Sequence, residues 1–103
     1  MAKMTVIYTT PKDKEFFEKH YFEVHVPLAK QLPGLLKYEI NNGPIISLTG
    51  HNDVYRVANL YFNSLDEMME SFKSDIGQQC AVDRMIFASD DEVQIYVYDS
   101  KNT

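Results

Sequence analysis

The sequence predicts an α+β domain in which four strands form one antiparallel sheet and two helical segments cover one face, in the order β-α-β-β-α-β. Three observations carry this. Short runs rich in Val, Ile and Tyr alternate with period two, apolar residues between Phe17 and Leu32 recur at helical spacing, and a serine-led capping signature at Ser64 precedes a second helical run.

Lys3 to Thr9 is the first strand, with Met4, Val6 and Tyr8 alternating against Thr5, Ile7 and Thr9. Both of its faces are fairly apolar, as expected of a central strand covered on each side. Pro11 then opens a helix whose first turn carries Asp13 and Glu15, and Phe17, Tyr21, Val24, Leu28 and Leu32 form its apolar stripe. Pro27 has no N–H to give and crowds the Glu23 carbonyl, so the helix should kink or break close to His25. Pro33-Gly34 ends the segment.

Leu36, Tyr38 and Ile40 alternate with Lys37 and Glu39 in a half-buried second strand, which is expected to resume after Asn42-Gly43-Pro44 through Ile45, Ile46 and Leu48. Val54 to Asn63 is the clearest strand: Tyr55, Val57, Asn59 and Tyr61 share one face, Arg56, Ala58, Leu60 and Phe62 the other. Ser64-Leu65-Asp66-Glu67 has the form of a capping box, starting the second helix at Leu65. Gly77 is expected to interrupt that helix before a further turn or two from Gln78 to Phe87. Glu92 to Tyr98 is the last strand, with Val93, Ile95 and Val97 facing away from Gln94, Tyr96 and Tyr98. This order is the split βαβ, ferredoxin-like arrangement, and its uncovered sheet face calls for a second copy of the chain.

Composition narrows the function. A chain of 103 residues fits one domain, 1–103, and 45% hydrophobic with 24% charged residues suits a globular core. The net charge of −5 comes with no basic cluster, which disfavours nucleic acid as a partner. No stretch approaches bilayer-spanning length and the start lacks signal-peptide features, so a cytoplasmic location away from membranes is expected. Cys80, the single cysteine, has no basic neighbour to activate it and reads as a packing residue.

The chemical lead is Tyr21 and His25, one helical turn apart, with Pro27 two residues on. Histidine accepts and returns protons near neutral pH, and a phenol beside it orients it or steadies developing negative charge. Tyr8, Asn59 and Tyr96 are expected to border a cavity as polar contacts, with Phe17, Phe22 and Phe62 as apolar lining. His20 and His25 are five apart, about 140° around an α-helix, so no metal site is expected. With no nucleotide loop or haem signature either, the expected cofactor is none.

The spacing Phe17-x3-Tyr21-x3-His25-x-Pro27-Leu28-x3-Leu32-Pro33-Gly34-Leu35-x2-Tyr38, continuing through Asn42-Gly43-Pro44 and Ala58-x-Leu60-Tyr61-Phe62-x-Ser64-Leu65, resembles the EthD family, named for ethyl tert-butyl ether degradation. The resemblance spans most of the chain. It implies a dimeric α/β barrel with a pocket between each sheet and its helices, and a functional role for Tyr21, His25 and Pro27. Ile86-Phe87-Ala88-Ser89-Asp90 departs from the family's more usual Asn-Phe-Ala-Asp stretch, so any role of that Asn is not carried over. Members related to the family include cofactor-independent lactone isomerases and fungal dehydratases or decarboxylases acting on cyclic compounds, and the namesake is linked to an oxygenase system. The expectation is therefore a homodimeric, cofactor-independent enzyme of proton-transfer type (isomerase, dehydratase or decarboxylase), acting on a cyclic or hydrophobic small molecule and auxiliary to oxidative degradation. The alternative is a non-catalytic carrier for such a molecule.

Overall fold

The computed structural model describes residues 1–103. Four strands, β1 (Ala2–Tyr8), β2 (Lys37–Ile40), β3 (Arg56–Phe62) and β4 (Val93–Asp99), form one antiparallel sheet in the order β2-β3-β1-β4. Helices α1 (Lys14–His20) and α2 (Val26–Ala29), joined by a π-helical turn (Tyr21–His25), follow β1; α3 (Leu65–Lys73) and α4 (Asp75–Phe87) follow β3. This is the ferredoxin-like arrangement. No helix is long and apolar enough to cross a membrane.

Period-two alternation decides what each strand buries. The register Val6↔Ala58 and Met4↔Leu60 aligns the apolar set of β1 with that of β3, and Val6, Tyr8, Ala58, Leu60 and Phe62 enter the core beneath the helices. Phe17, Tyr21, Phe62 and Met68 are its largest fully buried side chains. Removing each from water contributes on the order of 1.5–3 kcal/mol. The opposite sheet face carries Thr5, Val57, Asn59, Tyr61, Tyr96 and Tyr98, and β4 is exposed from Gln94 onward.

Local details depart from the sequence expectations in four places. Pro11 precedes the first helix, which Asp13 caps by accepting from the Phe16 N–H at 3.0 Å. The second strand does not resume beyond Ile40: Ile45, Ile46 and Leu48 lie in the connection to β3, where Ile46 and Leu48 are 83% and 95% exposed and have nothing to pair with. The Ser64 cap forms through the Glu67 N–H, whereas the reciprocal carboxylate bond occurs at Ser89, whose N–H donates to Glu92 Oε1. Gly77 does not break the second helical segment. The break is at Ser74, which is extended and caps α4 by accepting from the Gly77 N–H. Gly77 lies inside α4 because a Cβ there would overlap the Ser71 and Phe72 carbonyls of α3.

Pro27 acts through the turn preceding it. Without the proline N–H the α ladder cannot continue, and the chain widens by one residue so that the Val26 N–H donates to the Tyr21 carbonyl, an i→i+5 bond. That widened turn carries His25.

Candidate functional site

The widened turn changes which residues share a face. In an α-helix His20 and His25 diverge, but an i→i+5 turn between them brings residues five apart closer together around the axis. Both histidines consequently reach one carboxylate on α4: His25 Nδ1 lies 2.9 Å from Asp83 Oδ2 and His20 Nε2 lies 2.8 Å from Asp83 Oδ1. A carboxylate only accepts, so each of these ring nitrogens carries a hydrogen and donates. His25 Nε2 is left with a free lone pair.

His25 forms part of the wall of a cavity of about 250 Å³ between the sheet and the helices, lined chiefly by apolar side chains including Met4, Val6, Leu32, Leu60, Phe72 and Ile95. Its polar groups are few: the His25 ring, the phenols of Tyr8 and Tyr38, Cys80 and Arg84. Burial holds His25 below the ordinary histidine range, against the opposing pull of the Asp83 hydrogen bond and charge; His20 and Arg84 push it down further. At neutral pH the ring is therefore uncharged and available as a base. Phe87 packs against it edge-on with centroids 4.8 Å apart, and Tyr21 stacks on its other side at 5.7 Å, so its orientation is fixed.

The two cavity phenols differ in their bonding. Tyr38 shares a 2.8 Å O–H···O bond with Tyr21. The Arg56 guanidinium sits 4.5 Å over the Tyr21 ring, and either hydroxyl can be the donor across the pair. With Tyr21 donating, the Tyr38 hydroxyl keeps its own hydrogen for the cavity. Burial pushes both phenols well above the usual tyrosine range, so they stay protonated donors. Tyr8 is 2% exposed, is likewise pushed up by burial, and its hydroxyl has no hydrogen-bond partner within the chain. Burial also pushes the Cys80 thiol up to about 11, which keeps it from acting as a thiolate at neutral pH.

The residues singled out from sequence divide among four locations. His25 and Tyr8 line the cavity. Tyr21 does not; it lies fully buried behind Tyr38 and touches the cavity only through that hydroxyl. Phe17 and Phe62 sit in the core beyond the cavity wall, Phe17 stacked parallel on Tyr21 and Phe62 edge-on to Phe72. Phe22 is a partly exposed cover over Arg56. Asn59 and Tyr96 are both set opposite Thr5 in the register, which places them on the sheet face turned away from the helices: Asn59 accepts from the Thr5 hydroxyl at 2.8 Å and Tyr96 is 53% exposed.

Sequence reasoning assigned no site role to Asp83, Tyr38 or Arg84, and it set His20 apart from His25 on α-helical geometry that the widened turn does not keep. A signal for Asp83 existed, since it is the lone carboxylate in Cys80-Ala81-Val82-Asp83-Arg84-Met85-Ile86-Phe87, and a buried acid on an apolar helix needs a partner. Tyr38 shares its strand face with Ile40, which pointed to the interior. Arg84 is held by its own donors to the Ala88 carbonyl and the Asp90 carboxylate, both at 2.9 Å.

A family model described as the EthD domain matches residues 10–91. A Rhodococcus erythropolis protein described as an uncharacterized 11.0 kDa protein in the thcB-thcC intergenic region is 38% identical over 90 residues, covering 86% of this chain and 85% of its own length. Among solved structures, an EthD-family protein of Bacillus halodurans C-125 superposes with a TM-score of 0.88 at 26% identity, covering 98% of this chain and 99% of that one. SnoaB of Streptomyces nogalater, a cofactor-independent oxygenase, shares the fold at a TM-score of 0.67 and 11% identity, with 99% and 94% covered.

Proposed function

The chain belongs to the EthD family, and we propose that it is a cofactor-independent enzyme that moves a proton on a small hydrophobic, cyclic molecule held between sheet and helices. The observation that carries this reading is the His25–Asp83 pair at the cavity wall. Asp83 fixes the Nδ1–H tautomer, orients the ring and stabilises the imidazolium that forms when Nε2 takes a proton. Tyr38, backed by Tyr21, supplies a neutral O–H donor to an oxygen on which negative charge builds up. Isomerisation, dehydration and decarboxylation all draw on such a base and such a donor. The fold shared with a cofactor-independent oxygenase is in keeping with chemistry done by side chains alone.

The working form in this reading is a homodimer. Its support is the outer sheet face, where Tyr61, Tyr96 and Tyr98 stand with no helix of the same chain over them.

Histidine NMR across a pH series tests the central step. The His25 ring should titrate below the usual histidine range as the Nδ1–H tautomer, and a bound cyclic ligand should shift that titration. A His25 ring that neither titrates nor responds to any ligand removes the base, and the protein would then be a carrier.

A further inference from the structure

We infer that the natural ligand is an uncharged, enolisable ketone of one or two fused rings, whose oxygen is received by the hydroxyls of Tyr8 and Tyr38 while an α-hydrogen faces His25 Nε2. This rests on the proton-transfer reading above and specifies its substrate class by size, charge and hydrogen-bond pattern.

Size comes from volume. A cavity of about 150 Å³ lined by aliphatic and aromatic side chains takes a benzene molecule, and this one is about 250 Å³. It has room for a substituted ring or a bicycle, and three or four fused rings exceed it.

Charge follows from the wall. Twelve of the fifteen lining residues are hydrophobic, and the one cationic side chain, Arg84, already donates to the Ala88 carbonyl and pairs with Asp90. A carboxylate or phosphate entering here would lose its hydration without a free partner, which costs several kcal/mol. An ammonium would find only neutral acceptors, the phenol oxygens and the His25 lone pair, and no carboxylate in the wall to balance its charge. An uncharged ligand avoids both losses.

The hydrogen-bond pattern supplies the functional group. Tyr8 is a buried phenol in the wall with no protein partner, and Tyr38 keeps a hydrogen once Tyr21 has donated to it. Two donors ask for an oxygen acceptor, and a carbonyl oxygen has two lone pairs. His25 Nε2, an acceptor, asks for a hydrogen. An α-C–H beside a ketone meets both demands: its proton passes to Nε2, its electron pair becomes the C=C bond of the enolate, and the carbonyl π pair moves onto the oxygen held by the phenols. Return of the proton from His25 to the same or another carbon completes an exchange or an isomerisation, with no oxidant or reductant consumed.

The probes are 2-tetralone, an enolisable bicyclic ketone; tetralin, the same skeleton without oxygen; and anthrone, a tricyclic ketone. Ligand-detected NMR should show 2-tetralone binding more tightly than tetralin and no binding of anthrone. Tyr8→Phe and Tyr38→Phe should each weaken 2-tetralone about fivefold while leaving tetralin unchanged, the loss of one hydrogen bond. Unaltered near-ultraviolet circular dichroism verifies the fold of each variant. Anthrone binding as well as 2-tetralone, or equal losses for tetralin and 2-tetralone in the phenylalanine variants, would overturn the inference. Proton transfer is read separately from α-deuterium exchange of 2-tetralone in D2O. If His25→Asn binds the ketone and exchanges it as fast as the native chain does, the base reading fails while the ligand class stands; if the native chain does not bind 2-tetralone, the ligand class fails whatever His25 does.

Discussion

Replacing Asp83 with Asn isolates the charge at the centre of the site while keeping its shape. Asp83 receives a hydrogen bond from each of two histidines, at 2.8 and 2.9 Å, with both its side chain and that of His25 about one-tenth exposed. Hydrogen bonds to a charged group contribute about 1.5–3 kcal/mol each and neutral ones about 1 kcal/mol. An asparagine can keep both contacts only as neutral bonds, accepting from one ring through its oxygen and donating to the other through its amide once that histidine changes tautomer. Each exchange forfeits about 1 kcal/mol, so the variant should lose about 2 kcal/mol and melt about 8–16 °C lower, as befits a domain of this size. Thermal unfolding by circular dichroism measures the first effect. Imidazole ¹⁵N spectra measure the second: the Asp83 charge opposes the downward shift of His25, so its titration should move lower still in Asp83→Asn. A melting temperature within about 2 °C of native, or higher than native because a buried charge had been costing stability, together with an unmoved His25 titration, would refute the bridged arrangement.

Three further outcomes follow from the same geometry. His25 is held below its unfolded-state value of about 6.5, chiefly by burial, so its contribution to stability is complete above that pH and is lost as the pH falls through the folded value; melts from pH 7.5 to 5.5 should fall more steeply for the native chain than for His25→Asn, and parallel curves would exclude the effect. Gly77→Ala should destabilise by more than about 2 kcal/mol in urea titrations, well beyond an ordinary helical substitution, because the new methyl overlaps the Ser71 and Phe72 carbonyls; a neutral or stabilising result would mean that α3 and α4 are not so closely apposed. Sedimentation at micromolar concentration should give a species near twice the 12.0 kDa chain mass, and a Tyr96→Glu change on the outer sheet face should shift it toward monomer; a native monomer removes the dimer from the proposed function.

The sequence by itself determined what depends on neighbours along the chain. Alternation in Arg56–Phe62 divided β3 into two faces, and the four residues of one of them, Arg56, Ala58, Leu60 and Phe62, are the buried ones. The Ser64 cap set the start of α3 at Leu65, and the proline at 27 announced that the helix would not pass His25 unchanged. Period, cap and proline act within a few residues, through hydrogen bonds and sterics that any chain with that local order experiences. The tertiary structure decided the rest. Asp83 is 58 positions from His25 and 63 from His20, and their meeting required both the widened turn and the crossing of α4 over it. Likewise Tyr8, Asn59 and Tyr96 are all tyrosines or polar residues in strands, but only the register separates Tyr8, under the helices, from Asn59 and Tyr96 on the other face. Strand pairing moves whole sets of side chains between faces in steps of one residue, and that choice is made by the packed core as a unit rather than by any segment within it.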